Sequence, residues 1–180
     1  LAYNSEKALE AGESIMRFIH EESKSASELL AEERGVFPNF KGSSYEGVIN
    51  LRNATTSTVA PTGTLSIIAN CSSGIEPIFA LGYVRNVLDG QKLIEVNALF
   101  EDVAKKRDFF TQDLIGKIAQ KGSLRNLSQV PDDIKQIFVT AFDISLEWHV
   151  KMQAAFQKYT ANAVSKTINL PNDATLEAVK

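Results

Sequence analysis

One short stretch, residues 57–77, restricts the fold of this chain more than any other. It reads STVAPTGTLSIIANCSSGIEP. A run that contains Thr and Val leads up to Pro61, a turn follows around Gly63, and a short apolar segment comes after the turn. Thr and Val suit an extended strand, whereas a glycine turn with hydroxyl side chains suits the start of a helix. A strand that passes through a tight turn into a helix is typical of α/β proteins. The chain is therefore predicted to be α/β.

The composition is that of one ordinary domain and excludes several classes of partner. The 180 residues are 44% hydrophobic, and 19 basic against 22 acidic residues leave a formal net charge of −3 without a long run of one sign. A nucleic-acid surface needs clustered Lys and Arg, so no nucleic-acid partner is expected. Because no apolar stretch is long enough to span a bilayer and no signal-peptide pattern is found, we expect no membrane partner and a cytoplasmic location.

Capping residues and hydrophobic spacing predict a series of helices. Asn4 or Ser5 can cap a long helix, which Gly35 ends. Four further helix starts are predicted from the same signals, at Asn97, Thr111, Pro131 and Ser145. A last helix, after Asp173 or Thr175, has only just begun where the chain stops. The sequence is therefore interpreted as a piece of something longer.

Two segments are predicted to be strands. Residues 52–60, RNATTSTVA, have strand composition, and residues 163–170 alternate between an apolar and a polar side. The polar side of the second segment, formed by Ser165, Thr167 and Asn169, is expected to face a polar site. Asp89-Gly90 between two β-prone runs predicts a hairpin turn.

The turn at Gly63 has the composition of an anion-binding loop. Backbone N–H groups at the start of a helix attract anions, and the hydroxyls of Thr62, Thr64 and Ser66 can add donors. The stretch PTGTLS lacks the Lys of a Walker A loop, so it is not predicted to be an ATP-hydrolysing P-loop. A capped turn without any ligand is the alternative interpretation.

Several longer stretches resemble one known family. LRNATTSTVAPTGTLSIIANCSSGIEPIFALGYVRNVLDG, MQAAFQKYTANAVSKTINLPNDAT and AEERGVFPNFKGS are similar, in this order, to the catalytic subunit of ribonucleotide reductases. The resemblance is strongest to the class II, adenosylcobalamin-dependent type. It implies that residues 1–180 form the C-terminal portion of a ten-stranded α/β barrel, as a partial barrel. A class I large subunit and a non-catalytic nucleotide-binding relative are the alternatives.

The resemblance also implies an activity and its partners. The parent enzyme is expected to reduce ribonucleoside diphosphates to 2′-deoxyribonucleotides for DNA synthesis by radical chemistry. Its cofactor would be adenosylcobalamin, held mainly outside this segment. The implied partners are the remainder of the reductase chain, a thioredoxin-like reductant and, at full length, a second copy in a homodimer. The resemblance assigns the substrate phosphates to one loop, formed by Pro61, Thr62, Gly63, Thr64 and Leu65.

The catalytic cysteines that the resemblance requires are missing from this segment. Reductases of this family use a radical cysteine and a reducing pair, whereas the chain contains only Cys71. We interpret Cys71 as a packed thiol, assign no catalytic residue and expect the isolated segment to be inactive. Glu76 is expected to bind backbone or an Arg, such as Arg52 or Arg85. His20 and His149 lack a second ligand at metal spacing and are predicted to be structural, so no metal site is expected.

Overall fold

A computed structural model describes residues 1–86, 92–170, 172 and 174–179 of the chain. The helices and strands follow one another as α1 (Glu6–Arg34), α2 (Gly63–Ala69), β1 (Gly82–Asn86), β2 (Lys92–Val96), α3 (Ala98–Lys106), α4 (Gln112–Lys121), α5 (Asp132–Ile137), α6 (Leu146–Gln157) and α7 (Leu176–Val179). The chain divides into two compact units. The first unit comprises Leu1–Ser5, Glu76–His149 and Thr167–Lys180, and the second comprises Glu6–Ile75 and Val150–Lys166.

The long helix α1 dominates the second unit. It begins directly after Ser5 and ends before Gly35, whose φ of 74° lies in the left-handed region that favours glycine. This confirms the prediction for residues 4–35. Close packing explains the buried Gly12, because a Cβ atom there would lie 2.6 Å from the ring of Phe156. About two turns before the end of the helix, the buried hydroxyl of Ser27 accepts the N–H of Asn53 at 2.9 Å.

The two predicted strands are not regular strands in the structure. Residues 52–60 and 163–170 share a single parallel bridge, Val59 to Val164. The Val59 N–H donates to the Ala163 carbonyl at 3.2 Å, and the Ser165 N–H donates to the Val59 carbonyl at 2.8 Å. The prediction of two strands was wrong because hydrogen bonds that involve side chains, rather than a backbone ladder, connect much of both segments. Among these bonds, Thr58 Oγ1 donates to the Ala163 carbonyl at 2.9 Å and the Ala161 N–H donates to Ser57 Oγ at 3.0 Å.

The first unit contains a β-hairpin on a helical core. Strands β1 and β2 pair antiparallel with Gly82 opposite Val96, and the predicted turn at Asp89-Gly90 lies outside the described residues. A Cβ atom at Gly82 would lie 2.9 Å from Cγ2 of Ile118, so the glycine lets α4 approach the hairpin. The core beneath the hairpin is apolar and consists of Leu81, Phe100, Ala104, Leu114, Ile118, Leu124, Leu127, Val130, Ile134 and Phe138.

Local capping set most of the helix starts as predicted. Asn97 Oδ1 accepts the Phe100 N–H at 3.1 Å, and Thr111 Oγ1 accepts the Leu114 N–H at 3.2 Å. Helix α5 begins directly after Pro131 and α6 directly after Ser145, as expected. Helix α7 begins after Thr175, which agrees with the predicted last helix start.

The described residues do not form a ten-stranded barrel. They contain one two-stranded antiparallel sheet and two isolated parallel bridges, Val59 to Val164 and Ile78 to Thr140. A barrel requires every strand to pair with a neighbour on both sides. Each of the two parallel bridges, in contrast, joins a single pair of residues. The α/β expectation is therefore correct only in part. None of the described helices combines the length and apolar character needed to cross a membrane.

Candidate phosphate-binding loop

The turn before α2 is built on Thr62 rather than on Gly63. Thr62 has φ 48° and ψ 34°, in the left-handed region, which is a costly conformation for a β-branched residue. Gly63 is the first residue of the helix, and a Cβ atom built on it meets nothing within 4 Å. The freedom of glycine is therefore not needed for the fold at this position, and space is left for a neighbour that approaches the backbone.

A hydrogen bond between side chain and backbone holds the turn. Thr62 Oγ1 accepts the N–H of Gly74 at 3.0 Å, which closes residues 62–74 into a loop around α2. Gly74 itself has φ 52°, and a Cβ atom there would lie 3.2 Å from the Ala60 carbonyl oxygen. Glycine is thus required at position 74, and the sequence pattern did not single it out. The Ser-Ser-Gly turn that contains it was the available signal.

The start of α2 presents free donors on an exposed surface. The first hydrogen bond of the helix runs from the Ser66 N–H to the Thr62 carbonyl at 2.9 Å. The N–H groups of Gly63, Thr64 and Leu65 therefore have no acceptor within the helix. The Ser66 hydroxyl donates to the Gly63 carbonyl at 2.7 Å and is committed to the helix. Pro61 and residues 63–65 are exposed, while Thr62 is half-buried. The structure thus brings the five predicted site residues together on one exposed turn.

Cys71 is exposed, and the prediction that it is a packed thiol was wrong. It follows Asn70, which ends α2 in the left-handed region with φ 51°, and its N–H donates to the Ser66 carbonyl at 3.0 Å. Helix α2, which ends directly before Asn70, has no buried residues. Helix α2 therefore offers no buried apolar surface against which the thiol could pack.

Glu76 binds backbone, which confirms one of its two expected roles. Its Oε1 atom accepts the Thr167 N–H at 2.6 Å. Arg52 instead donates to the Val36 carbonyl at 3.3 Å. Burial, followed by the charge of Glu76, raises the pKa of the neighbouring Tyr3 well above its ordinary value.

Both histidines contact other parts of the fold, His149 a backbone carbonyl and His20 an aromatic ring. His149 is fully buried, with Nε2 3.1 Å from the Ala141 carbonyl. The ring centroid of His20 lies 6.3 Å from that of Tyr159. Within the described part of the chain, no group of three His, Cys, Asp or Glu side chains comes together as a metal site would require.

Sequence comparison identifies the family. Residues 49–180 match the family described as the barrel domain of ribonucleotide reductase. The chain belongs to the ribonucleotide reductase family. It is 53% identical over 180 residues to a vitamin B12-dependent ribonucleoside-diphosphate reductase of Thermoplasma acidophilum, a match that covers 99% of this chain and 23% of the relative. A reductase of the same description from Mycobacterium tuberculosis (strain CDC 1551) is 43% identical, over 100% of this chain and 26% of its own length.

A solved reductase structure shares this fold. The alpha subunit of the class Id ribonucleotide reductase of Actinobacillus ureae matches with a TM-score of 0.69 and 23% identity, over 89% of this chain and 28% of that subunit. At this identity the likeness concerns the fold alone. The reductase segment described here thus spans about a quarter of the length of the curated relatives that it matches.

Proposed function

We propose that this chain is part of the catalytic barrel of an enzyme that reduces ribonucleoside diphosphates to 2′-deoxyribonucleotides. The observation that carries the proposal is the 53% identity, over 99% of the chain, to a relative described as a vitamin B12-dependent ribonucleoside-diphosphate reductase. The rest of a full-length reductase would supply the radical and reducing cysteines, since this segment contains Cys71 alone. A thioredoxin-like reductant and a homodimer are further parts of the proposal.

Adenosylcobalamin is the proposed cofactor of the full-length enzyme, yet neither of the two cavities described fits it. The cavities described have volumes of about 450 and 160 Å³, which are too small for a corrin that carries a nucleotide tail and an adenosyl group. We therefore propose that the cofactor is held mainly by parts of the enzyme outside this segment, and we assign no step of the reaction to these residues through it.

Within the enzyme, we assign substrate phosphate binding to the loop formed by Pro61, Thr62, Gly63, Thr64 and Leu65. Three features support the assignment: the exposed N–H groups before the first intrahelical bond, the exposed hydroxyl of Thr64, and the open space at Gly63. Backbone N–H groups at a helix start, together with hydroxyl donors, suit an anionic oxygen. Neither of the two cavities described is lined by these residues.

Two substitutions in the full-length enzyme test the loop. Gly63→Val puts bulk where the backbone would approach the phosphate, and we expect it to weaken nucleotide binding strongly while the fold is kept, because a Cβ atom there meets nothing within 4 Å. Thr64→Ala removes one hydroxyl donor and should weaken binding by about 1–3 kcal/mol. Affinities for the ribonucleoside diphosphate and for the matching nucleoside are measured by equilibrium titration.

The nucleoside is the control, because it lacks the phosphates that would touch the loop. Both variants should bind it with the affinity of the unmodified enzyme. An equal loss for nucleoside and nucleotide would mean that the substitutions disturb the fold, and the loop would then be a capped turn without a ligand. Turnover of the isolated segment would contradict the assignment of the chemistry to the rest of the enzyme.

A further inference from the structure

A cavity of about 160 Å³ lies in the second unit, beside α1. No Asp or Glu lines it, and its polar lining is His20, Lys24, Tyr45, Asn53, Thr55 and Thr56. A water molecule takes up about 30 Å³ in the liquid, so the cavity has room for several waters or for one small oxyanion. Its lining is distinct from the proposed substrate loop.

Lys24 supplies the positive charge of this cavity. It lies one helical turn after His20 on the same face of α1 and is half-buried. Among the residues that the structure describes, no carboxylate forms an ion pair with it. Opposite charges attract, so a bound anion would interact favourably with the positive charge of Lys24.

Two neutral side chains of the lining, Asn53 and Thr55, each keep a hydrogen-bond donor that no residue described by the structure accepts. The side-chain carbonyl of Asn53 accepts the Ser27 hydroxyl at 3.3 Å, which leaves its NH₂ group to donate. Thr55 Oγ1 accepts the Asn162 side-chain amide at 3.2 Å, which leaves the Thr55 O–H to donate elsewhere. Lys24 and two side chains with an uncommitted donor therefore line a space without a carboxylate.

We propose that this cavity binds a small oxyanion of the size of inorganic phosphate. The Lys24 ammonium supplies a charge-assisted hydrogen bond, and Asn53 and Thr55 donate to the remaining oxygens. The site does not depend on the function proposed above, and it is separate from the loop Pro61–Leu65.

The probe is inorganic phosphate, titrated into the full-length protein by calorimetry at constant ionic strength, with chloride as the comparison anion. Because the proposed substrate loop is also expected to take phosphate, all titrations use a Gly63→Val background. Lys24→Met is expected to weaken phosphate binding about tenfold or more, as the loss of a charge-assisted bond implies. Lys7→Met is the matched control, because Lys7 is an exposed lysine of the same helix outside this cavity, and it should leave the affinity unchanged.

A second pair of variants changes a residue that lines the cavity. Ala161 lines the cavity and is exposed, so a larger side chain there can be accommodated. Ala161→Asp places a carboxylate beside Lys24 and should abolish phosphate binding while raising Tm in phosphate-free buffer. Ala161→Asn has the same shape without the charge and should not raise Tm. The proposal is overturned if phosphate does not bind saturably to the background protein, or if Lys24→Met binds it as tightly.

Discussion

Thr62 and Gly74 are joined by a hydrogen bond, in which Thr62 Oγ1 accepts the Gly74 N–H at 3.0 Å. The bond connects the residue that precedes α2 with a residue beyond its end. Helix α2 has no buried residue of its own, so packing contributes little to its position. A single side chain therefore has a large share in holding the turn at the start of α2.

Removing this bond should loosen the loop. Thr62→Val keeps the shape of the side chain but loses the hydroxyl. We expect the hydrogen-exchange rate of the Gly74 amide to rise about two- to tenfold, which corresponds to the free energy of one lost hydrogen bond. Hydrogen exchange of the full-length protein, read by mass spectrometry on peptides that end on either side of Gly74, measures it. Thr62→Ser keeps the oxygen and should exchange like the unmodified protein. Equal exchange in Thr62→Val and the unmodified protein would contradict a role for the bond.

Two glycines in helices should respond oppositely to the same substitution. Gly12→Ala places a methyl group 2.6 Å from the Phe156 ring, and the overpacking should reduce the free energy of unfolding by about 1–3 kcal/mol. Gly116→Ala in α4 meets nothing within 4 Å and should increase it by roughly 0.5–1 kcal/mol, because alanine favours the helix. Denaturant unfolding of both variants measures the difference. If both were neutral, the close contact between α1 and Phe156 would not exist in solution.

Glu76 should stabilise the protein through a backbone hydrogen bond. Its carboxylate accepts the Thr167 N–H at 2.6 Å, and Glu76→Ala leaves that donor without this acceptor, at an expected cost of about 1–3 kcal/mol. Glu76→Gln retains a side-chain oxygen and should cost less. Thermal unfolding of the two variants compares them. An equal loss in both variants would show that the charge matters more than the hydrogen bond to Thr167, because both substitutions remove the charge and only Gln keeps an acceptor.

Cys71 should be dispensable for stability. Since the side chain is exposed, Cys71→Ser should change the free energy of unfolding by less than about 0.5 kcal/mol and leave turnover of the full-length enzyme intact. Denaturant unfolding and a steady-state assay check both expectations. Loss of turnover in a protein that folds normally would identify Cys71 as a radical or reducing cysteine.

The helices could be predicted because their signals are local. Asn97 and Thr111 each cap a helix through a bond to the residue three positions later, and Gly35 ends α1 through its own positive φ. Each of these interactions closes within one turn of the chain, so a short window of sequence contains both partners. The candidate loop was found in the same way, since Pro61, Thr62 and Gly63 are adjacent.

The strands and side-chain partners depended on contacts between distant residues. Whether residues 52–60 form a strand is decided by what pairs with them, and among the described residues Val59 forms a ladder bridge only with Val164. The sequence alone determined the helix starts, the hydroxyl-rich turn and the resemblance to the reductases. Only the tertiary structure decided that Thr62 takes the left-handed conformation, that Gly74 is its partner and that Cys71 is exposed, because each depends on residues brought together by folding rather than by sequence proximity.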